Sequence, residues 1–327
     1  MEITTKDYDE SLQSLRWAGS LITYISHRVW AIRLMHRLLG LTVGSQLKGF
    51  DNEEIQVPST TTPDHSIRVR IYKPLDAEGP LPVMVYMHGG GYQVGVPEQD
   101  HPFYEQILSK RKIAIVAPDY RCSVAHNSPY PHGLNDCYDV VQYCKSHAQE
   151  LGLMDNQYAL AGHSAGGGLT AALTLKVIDA KAVDLAFVMP VYPMLDHRME
   201  TKSAQEMIGT WVWDKESNRG AWGRYLADLP DPENVPDYAS PALREELGNF
   251  PPTISWVGTL EPFKDEVIIF MEKLKKAGVP TQFHLFEGGF HGFETVGPST
   301  KLGMEAMEFQ VGAFAEYYDA YIQGAKK

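Results

Sequence analysis

Apolar runs of strand length alternate with amphipathic stretches along most of this chain. Leu81-Pro82-Val83-Met84-Val85-Tyr86-Met87 is apolar throughout, as a strand buried on both faces should be. Residues 66–72 alternate between apolar and polar, the pattern of a half-buried strand. Further strands are predicted over 83–87, 113–117, 158–161, 185–189, 253–257 and 282–286. Helical patterns fall between several of them, over 103–110, 134–150, 169–180 and 267–277, and a last helix over 301–322. This alternation predicts an α/β fold with a mainly parallel central sheet and helices on both faces.

Two segments break the rhythm. Trp17, Leu21, Ile22, Ile25, Val29, Ile32, Met35, Leu38 and Leu39 recur at helical spacing near the N-terminus, predicting one or two amphipathic helices. Arg16, His27, Arg28, Arg33, His36 and Arg37 interrupt this stretch, so it should not insert stably across a bilayer. A lid whose apolar stripe packs on the domain is the favoured reading; a membrane-surface helix is the alternative. The second segment, 197–236, has no strand pattern but carries Trp211, Trp213, Trp222 and Tyr225. It is too long for an ordinary connection and reads as a helical insertion. The expected division is N-terminal helices contributing to a cap over 1–50, a core over 51–196 and 237–327, and a cap insertion over 197–236.

At 327 residues the chain can hold one large α/β domain plus insertions, and 44% hydrophobic with 21% charged residues is ordinary for a globular protein. A net charge of −12 argues against nucleic acid as a partner, because phosphate binding calls for a basic face. Cys122, Cys137 and Cys144 form no C-x-x-C pair, and their odd number fits a reducing compartment. The N-terminus is acidic and lacks the basic-then-apolar pattern of a secretory leader, so a cytoplasmic location is expected. No H-E-x-x-H or Cys/His cluster occurs, and neither metal nor cofactor is expected. Whether the chain forms a homo-oligomer is left open.

Gly162-His163-Ser164-Ala165-Gly166 lies between the 158–161 strand and the 169–180 helix. Strand, sharp turn and helix are the context of a G-x-S-x-G nucleophile elbow. His88-Gly89-Gly90-Gly91 follows the 83–87 strand and fits an oxyanion loop, where bare backbone N–H groups approach a developing negative charge. His88 is expected to tie this loop down rather than transfer protons. An acid and a histidine should follow the serine in chain order. Glu261 follows the 253–257 strand with Asp265 as its rival, and His291 follows the 282–286 strand. All these positions fall at the carboxyl edge of the sheet, where such folds place their chemistry.

These residues, with Pro118-Asp119-Tyr120-Arg121 and Phe290-His291-Gly292-Phe293, resemble the hormone-sensitive-lipase-like family of α/β-hydrolases, the bacterial "family IV" esterases and their relatives. The resemblance runs from about Ile71 to the C-terminus. It implies the α/β-hydrolase fold and a serine carboxylesterase; the apolar rather than charged character of the candidate pocket residues favours small neutral esters of short to medium chain. It further implies Ser164 as nucleophile, His291 as base, Glu261 as orienting acid, and the N–H groups of Gly90, Gly91 and Ala165 as the oxyanion hole. Tyr92, His163, Trp211, Trp213 and Trp222 are the candidate acyl or alcohol pocket. Two departures stand out. The family pattern at the acid is Asp-Pro-Leu-x-Asp-Glu, where this chain has Glu261-Pro262-Phe263-Lys264-Asp265-Glu266. By the resemblance, Asp265 ties the following helix to the sheet. After Arg121 the family's Leu-Ala-Pro-Glu is replaced by Cys122-Ser123-Val124-Ala125. An acyltransferase or lactonase with the same triad, or a small-molecule receptor on the same fold, are the other readings.

Overall fold

The computed structural model describes residues 3–322. Eight strands form one sheet: β1 (Phe50–Pro58), β2 (Ser66–Pro74), β3 (Leu81–Met87), β4 (Ala114–Pro118), β5 (Leu153–His163), β6 (Leu185–Val191), β7 (Thr253–Leu260) and β8 (Thr281–Phe290). Their spatial order is β1-β2-β4-β3-β5-β6-β7-β8. β2 runs antiparallel to both of its neighbours, β1 and β4, and the remaining pairs are parallel.

The helices are α1 (Arg16–Ser26), α2 (Val29–Leu39), α3 (His101–Lys110), α4 (His132–Ser146), α5 (Ala165–Ala180), α6 (Lys202–Glu206), α7 (Lys215–Tyr225), α8 (Lys264–Lys276), α9 (Phe293–Val296) and α10 (Lys301–Tyr321). α5 packs on β5 and β6 with α4 beside it; α10 packs on β6 and β7 with α3 beside it. The sheet is therefore covered by helices on both faces, the α/β-hydrolase architecture expected. β3 and β4 are buried along their whole length, which explains their unbroken apolar sequences.

The edge strand β1 was not anticipated. Its sequence is mostly polar, and only Val57 is buried. It holds its place through a nine-residue register with β2 and through cross-strand charges, Glu53 to Lys73 at 3.1 Å and Glu54 to Arg68 at 3.3 Å. Apolar alternation could not reveal a strand held mainly by ladder hydrogen bonds and surface charge. α5 begins at Ala165 rather than 169, with Gly166, Gly167 and Gly168 in its first turn. α4 begins at His132 and ends at Ser146, short of 150. All three cysteines are buried free thiols.

Between β6 and β7 the chain forms the two short helices α6 and α7 and one turn of 3-10 helix at Pro241–Leu243. The loop joining them is bound to α1. The Val212 N–H donates to the Gly19 carbonyl at 3.0 Å, and the Thr23 hydroxyl donates to the Thr210 carbonyl at 3.0 Å. The Ser26 and Ser217 hydroxyls pair at 2.6 Å, and His27 Nε2 meets Asp214 at 2.8 Å. Gly19 leaves room for this crossing, since a Cβ there would lie 2.6 Å from the Trp211 Cβ. Two segments far apart in sequence thus form one cover.

Candidate active site

β5 ends at His163, and the chain turns sharply into α5 at Ser164, whose φ of 58° and ψ of −121° leave the regions ordinary residues adopt. The surroundings hold this strained residue. The Ser164 N–H donates to the Val191 carbonyl at 3.0 Å, and its own carbonyl accepts from the Gly168 and Met194 N–H groups at 2.9 and 3.2 Å. No side chain fits two residues to either side of it: a Cβ on Gly162 would lie 2.4 Å from the Gly166 carbonyl oxygen, and one on Gly166 2.0 Å from the Met87 carbonyl oxygen. The serine hydroxyl is thereby presented at the carboxyl edge of the sheet.

Glu261 stands one residue beyond β7 and His291 one residue beyond β8. Ser164 Oγ lies 2.7 Å from His291 Nε2, and His291 Nδ1 lies 2.5 Å from Glu261 Oε2. The carboxylate can only accept, so Nδ1 carries the proton and Nε2 is left to accept from the serine. Glu261 is fully buried, and its second oxygen accepts from the Gly258 N–H at 3.0 Å. The register between β7 and β8 shifts between Gly258 and Leu260, just before this acid. Asp265 points elsewhere. Its carboxylate accepts from the Ser203 N–H at 2.7 Å, and its N–H donates to the Ser203 hydroxyl at 3.0 Å. It therefore ties α8 to α6, rather than to the sheet as the resemblance implied.

The loop after β3 wraps against the serine. Gly90 has a φ of 132°, and a Cβ there would lie 1.8 Å from the Val94 carbonyl oxygen, so only glycine fits. Among the described residues, no group accepts from the N–H of Gly90, Gly91 or Ala165. Ala165 also opens α5, whose dipole favours negative charge at this end. His88 Nδ1 donates to the Gly89 carbonyl at 2.8 Å, and its ring stacks on Tyr120 with centroids 4.2 Å apart. Burial pushes its pKa down to about 4, opposed by that hydrogen bond. It anchors the loop as a neutral ring.

A cavity of about 450 Å³ opens over these groups, mostly apolar in its walls. Its floor holds Gly89, Gly90, Gly91, Ser164 and His291. Ile22 and Ser26 of α1, Ile32, Met35 and Leu39 of α2, and Val212 and Trp213 complete the walls. Of the expected pocket residues, Trp213 and His163 border this cavity, and the Trp213 ring lies 6.2 Å from His291. The other three lie behind the walls. Trp211 stacks on Tyr8 at 3.7 Å. Trp222 packs on Tyr92 and Tyr225. Tyr92 stacks on Tyr225 and donates its hydroxyl to the Met194 carbonyl at 3.0 Å. These rings fill the cap interior because burying their large faces there stabilises the cap itself.

Sequence reasoning missed a half-buried acidic residue beside the cavity. Asp100 borders it, and its Oδ2 is sealed from solvent without a hydrogen-bond partner. Burial pushes its pKa up to about 7. Glu294 accepts from the Tyr192 hydroxyl and is likewise pushed up by burial. His163 bridges inward, with Nε2 3.2 Å from Gln310 Oε1 and Nδ1 2.7 Å from the Tyr86 hydroxyl; burial pushes its pKa down to about 4. Only the step from Gly91 to the polar turn Pro97-Glu98-Gln99-Asp100 hinted at an acid near the oxyanion loop. Among the described residues, no three His, Cys, Asp or Glu side chains converge as a metal site requires, and no helix is long and apolar enough to cross a membrane.

A family model described as "alpha/beta hydrolase fold" matches residues 84–295. The chain is 28% identical over 233 residues to "Esterase LipI" of Mycobacterium tuberculosis, covering 71% of this chain and 72% of that one. It is 30% identical over 231 residues to "Carboxylesterase NlhH" of the same species, covering 69% and 71%. The solved structure of "Bacterial Heroin Esterase" superposes with a TM-score of 0.87 at 29% identity, covering 96% of this chain and 99% of the other.

Proposed function

This chain belongs to the α/β-hydrolase family, in its hormone-sensitive-lipase-like branch, and is a carboxylic ester hydrolase; from that premise we propose that it cleaves small neutral esters of short to medium acyl chain through an acyl-enzyme on Ser164. In this reading Ser164 Oγ attacks the ester carbonyl carbon while His291 Nε2 takes the hydroxyl proton. Glu261 holds the imidazole with Nε2 toward the serine and stabilises the imidazolium that forms. The carbonyl oxygen becomes an oxyanion and receives the N–H groups of Gly90, Gly91 and Ala165. Collapse of the tetrahedral species breaks the bond to the alcohol oxygen, which leaves with the proton from His291. Water then adds to the acyl-enzyme by the same route, regenerating the serine and releasing the acid.

The observation that carries this reading is the unbroken relay Glu261–His291–Ser164, at 2.5 and 2.7 Å, beside three N–H groups with no acceptor among the described residues. The apolar cavity walls favour neutral substrates, since a charged acyl group would lose hydration there without a paired counter-charge. Ser164→Ala should lower kcat on a nitrophenyl ester by about 10⁶-fold, the scale for removing a triad nucleophile. An organophosphate should add one covalent equivalent to the wild type and none to the variant, read by intact mass. Unchanged turnover or labelling in the variant sinks the assignment.

A further inference from the structure

The N-terminal helix pair is apolar on two sides. Its inner side, with Ile22, Ile32, Met35 and Leu39, lines the cavity. Its outer side carries Trp17, Leu21 and Tyr24 on α1 and Trp30, Leu34 and Leu38 on α2. Their spacing of three or four residues makes each set one stripe on its helix. All six are exposed, Trp17 at 73% and Trp30 at 62%. Scattered exposed apolar residues need no explanation, but of fourteen large ones exposed in the described residues, nine fall between Trp17 and Val43. Leaving them in water costs free energy that a buried partner surface would recover.

The charge of this region points to the partner. Residues 11–50 contain Arg16, Arg28, Arg33, Arg37 and Lys48 and no Asp or Glu, in a chain whose net charge is −12. Arg16, Arg33 and Arg37 are exposed, and among the described residues none pairs with them. Arg33 and Arg37 adjoin the Leu34 and Leu38 stripe on the same helix. Exposed tryptophans and leucines beside arginines, on helices too short and too charged to span, are the features of a helix lying in a lipid interface. We propose that α1 and α2 dock this face of the molecule onto an anionic lipid surface, with the apolar stripes in the acyl boundary and the arginines at the headgroups. A second copy of the chain would bring two arginine-bearing, acid-free faces together, which like-charge repulsion opposes. Because the same helices wall the cavity, docking brings its lining to the lipid boundary.

The test reads binding, not hydrolysis, so it stands apart from the proposed chemistry. The full chain is co-sedimented with vesicles of phosphatidylcholine alone and of phosphatidylcholine with phosphatidylglycerol in equal parts. Binding is expected to the anionic vesicles only, with a blue shift of tryptophan emission and loss of binding in high salt. Arg33→Gln with Arg37→Gln should weaken it by roughly ten- to thirtyfold, since each basic residue near such a surface contributes roughly fivefold. Trp30→Ser with Leu34→Ser should abolish the blue shift, with an unchanged melting temperature showing that both pairs fold. Equal binding to both vesicle types, or binding to neither, overturns the proposal. So does concentration-dependent self-association without lipid that the Trp30 and Leu34 changes remove, which assigns the face to a second copy.

Discussion

Glu261 reaches two partners at once, the His291 ring and the Gly258 N–H, from one residue beyond β7. Glu261→Gln keeps the shape but reverses the hydrogen-bond polarity at one oxygen. It should lower kcat by roughly 10³- to 10⁴-fold with little change in melting temperature. Asp265→Asn should do the opposite, because Asp265 joins α8 to α6 and does not meet His291. Its melting temperature should fall while kcat stays closer to wild type. Steady-state kinetics and thermal melts on the two variants decide between them, and the reverse pattern would move the acid to Asp265. At this scale the candidates Ser164, His291, Gly90 and Gly91, which the structure brings to one cavity, could be picked out in the sequence because each sits in a short motif at a strand end. Asp100 was not, since its raised pKa comes from burial by residues distant in sequence. Nor could aromatic content tell Trp213 from Trp211 and Trp222; only tertiary packing decides which ring faces the cavity.

The loop from Met207 to Trp213 forms the cap's edge over the cavity. Val212 is held at a φ of 70°, a conformation a β-branched residue rarely adopts and that costs about 1–3 kcal/mol. Its N–H bond to Gly19 and the neighbouring Thr23–Thr210 bond offset that strain and fix Trp213 beside His291. Trp213 is therefore the ring expected to bound the acyl slot. Each methylene buried in an apolar slot contributes about 0.8 kcal/mol, so kcat/KM should rise by no more than about fourfold per carbon until the chain meets the ring. On nitrophenyl esters from acetate to palmitate, Trp213→Ala should move the optimum to longer chains while acetate is still cleaved. An unmoved optimum would mean that another residue closes the slot. The parallel strands and large helices were legible from apolar period alone. β1 was not, because its polar side chains carry no such period; a cap drawn from both the N-terminal helices and the later insertion was expected, but the bonds that join them were not legible, because no local pattern links those residues.

Over the whole molecule, burial sets opposing responses to acid. The His163 pKa is pushed from 6.5 down to about 4, so below pH 6.5 the unfolded chain takes up a proton that the native chain refuses. Its contribution is present above that value and is lost as pH falls toward 4, by about 3 kcal/mol for a full shift of this size. Asp100 is pushed from 3.8 up to about 7, so its protonated native form gains stability as pH falls through that window. Melting temperatures at pH 7 and pH 5 should therefore diverge in opposite senses for two variants. His163→Gln should lose less on acidification than wild type, and Asp100→Asn should lose more. Equal losses in all three proteins would show that neither group titrates on unfolding. The cap has a different consequence, during synthesis. Thr23, Ser26 and His27 leave the ribosome early, but their partners Thr210, Ser217 and Asp214 lie almost two hundred residues later. At roughly 5–20 residues per second, the first helices wait on the order of 10–40 s with their inner apolar side uncovered as well as the outer one. The nascent chain is most exposed to chaperones and to its neighbours on the polysome during that interval, which closes only when the segment after β6 arrives.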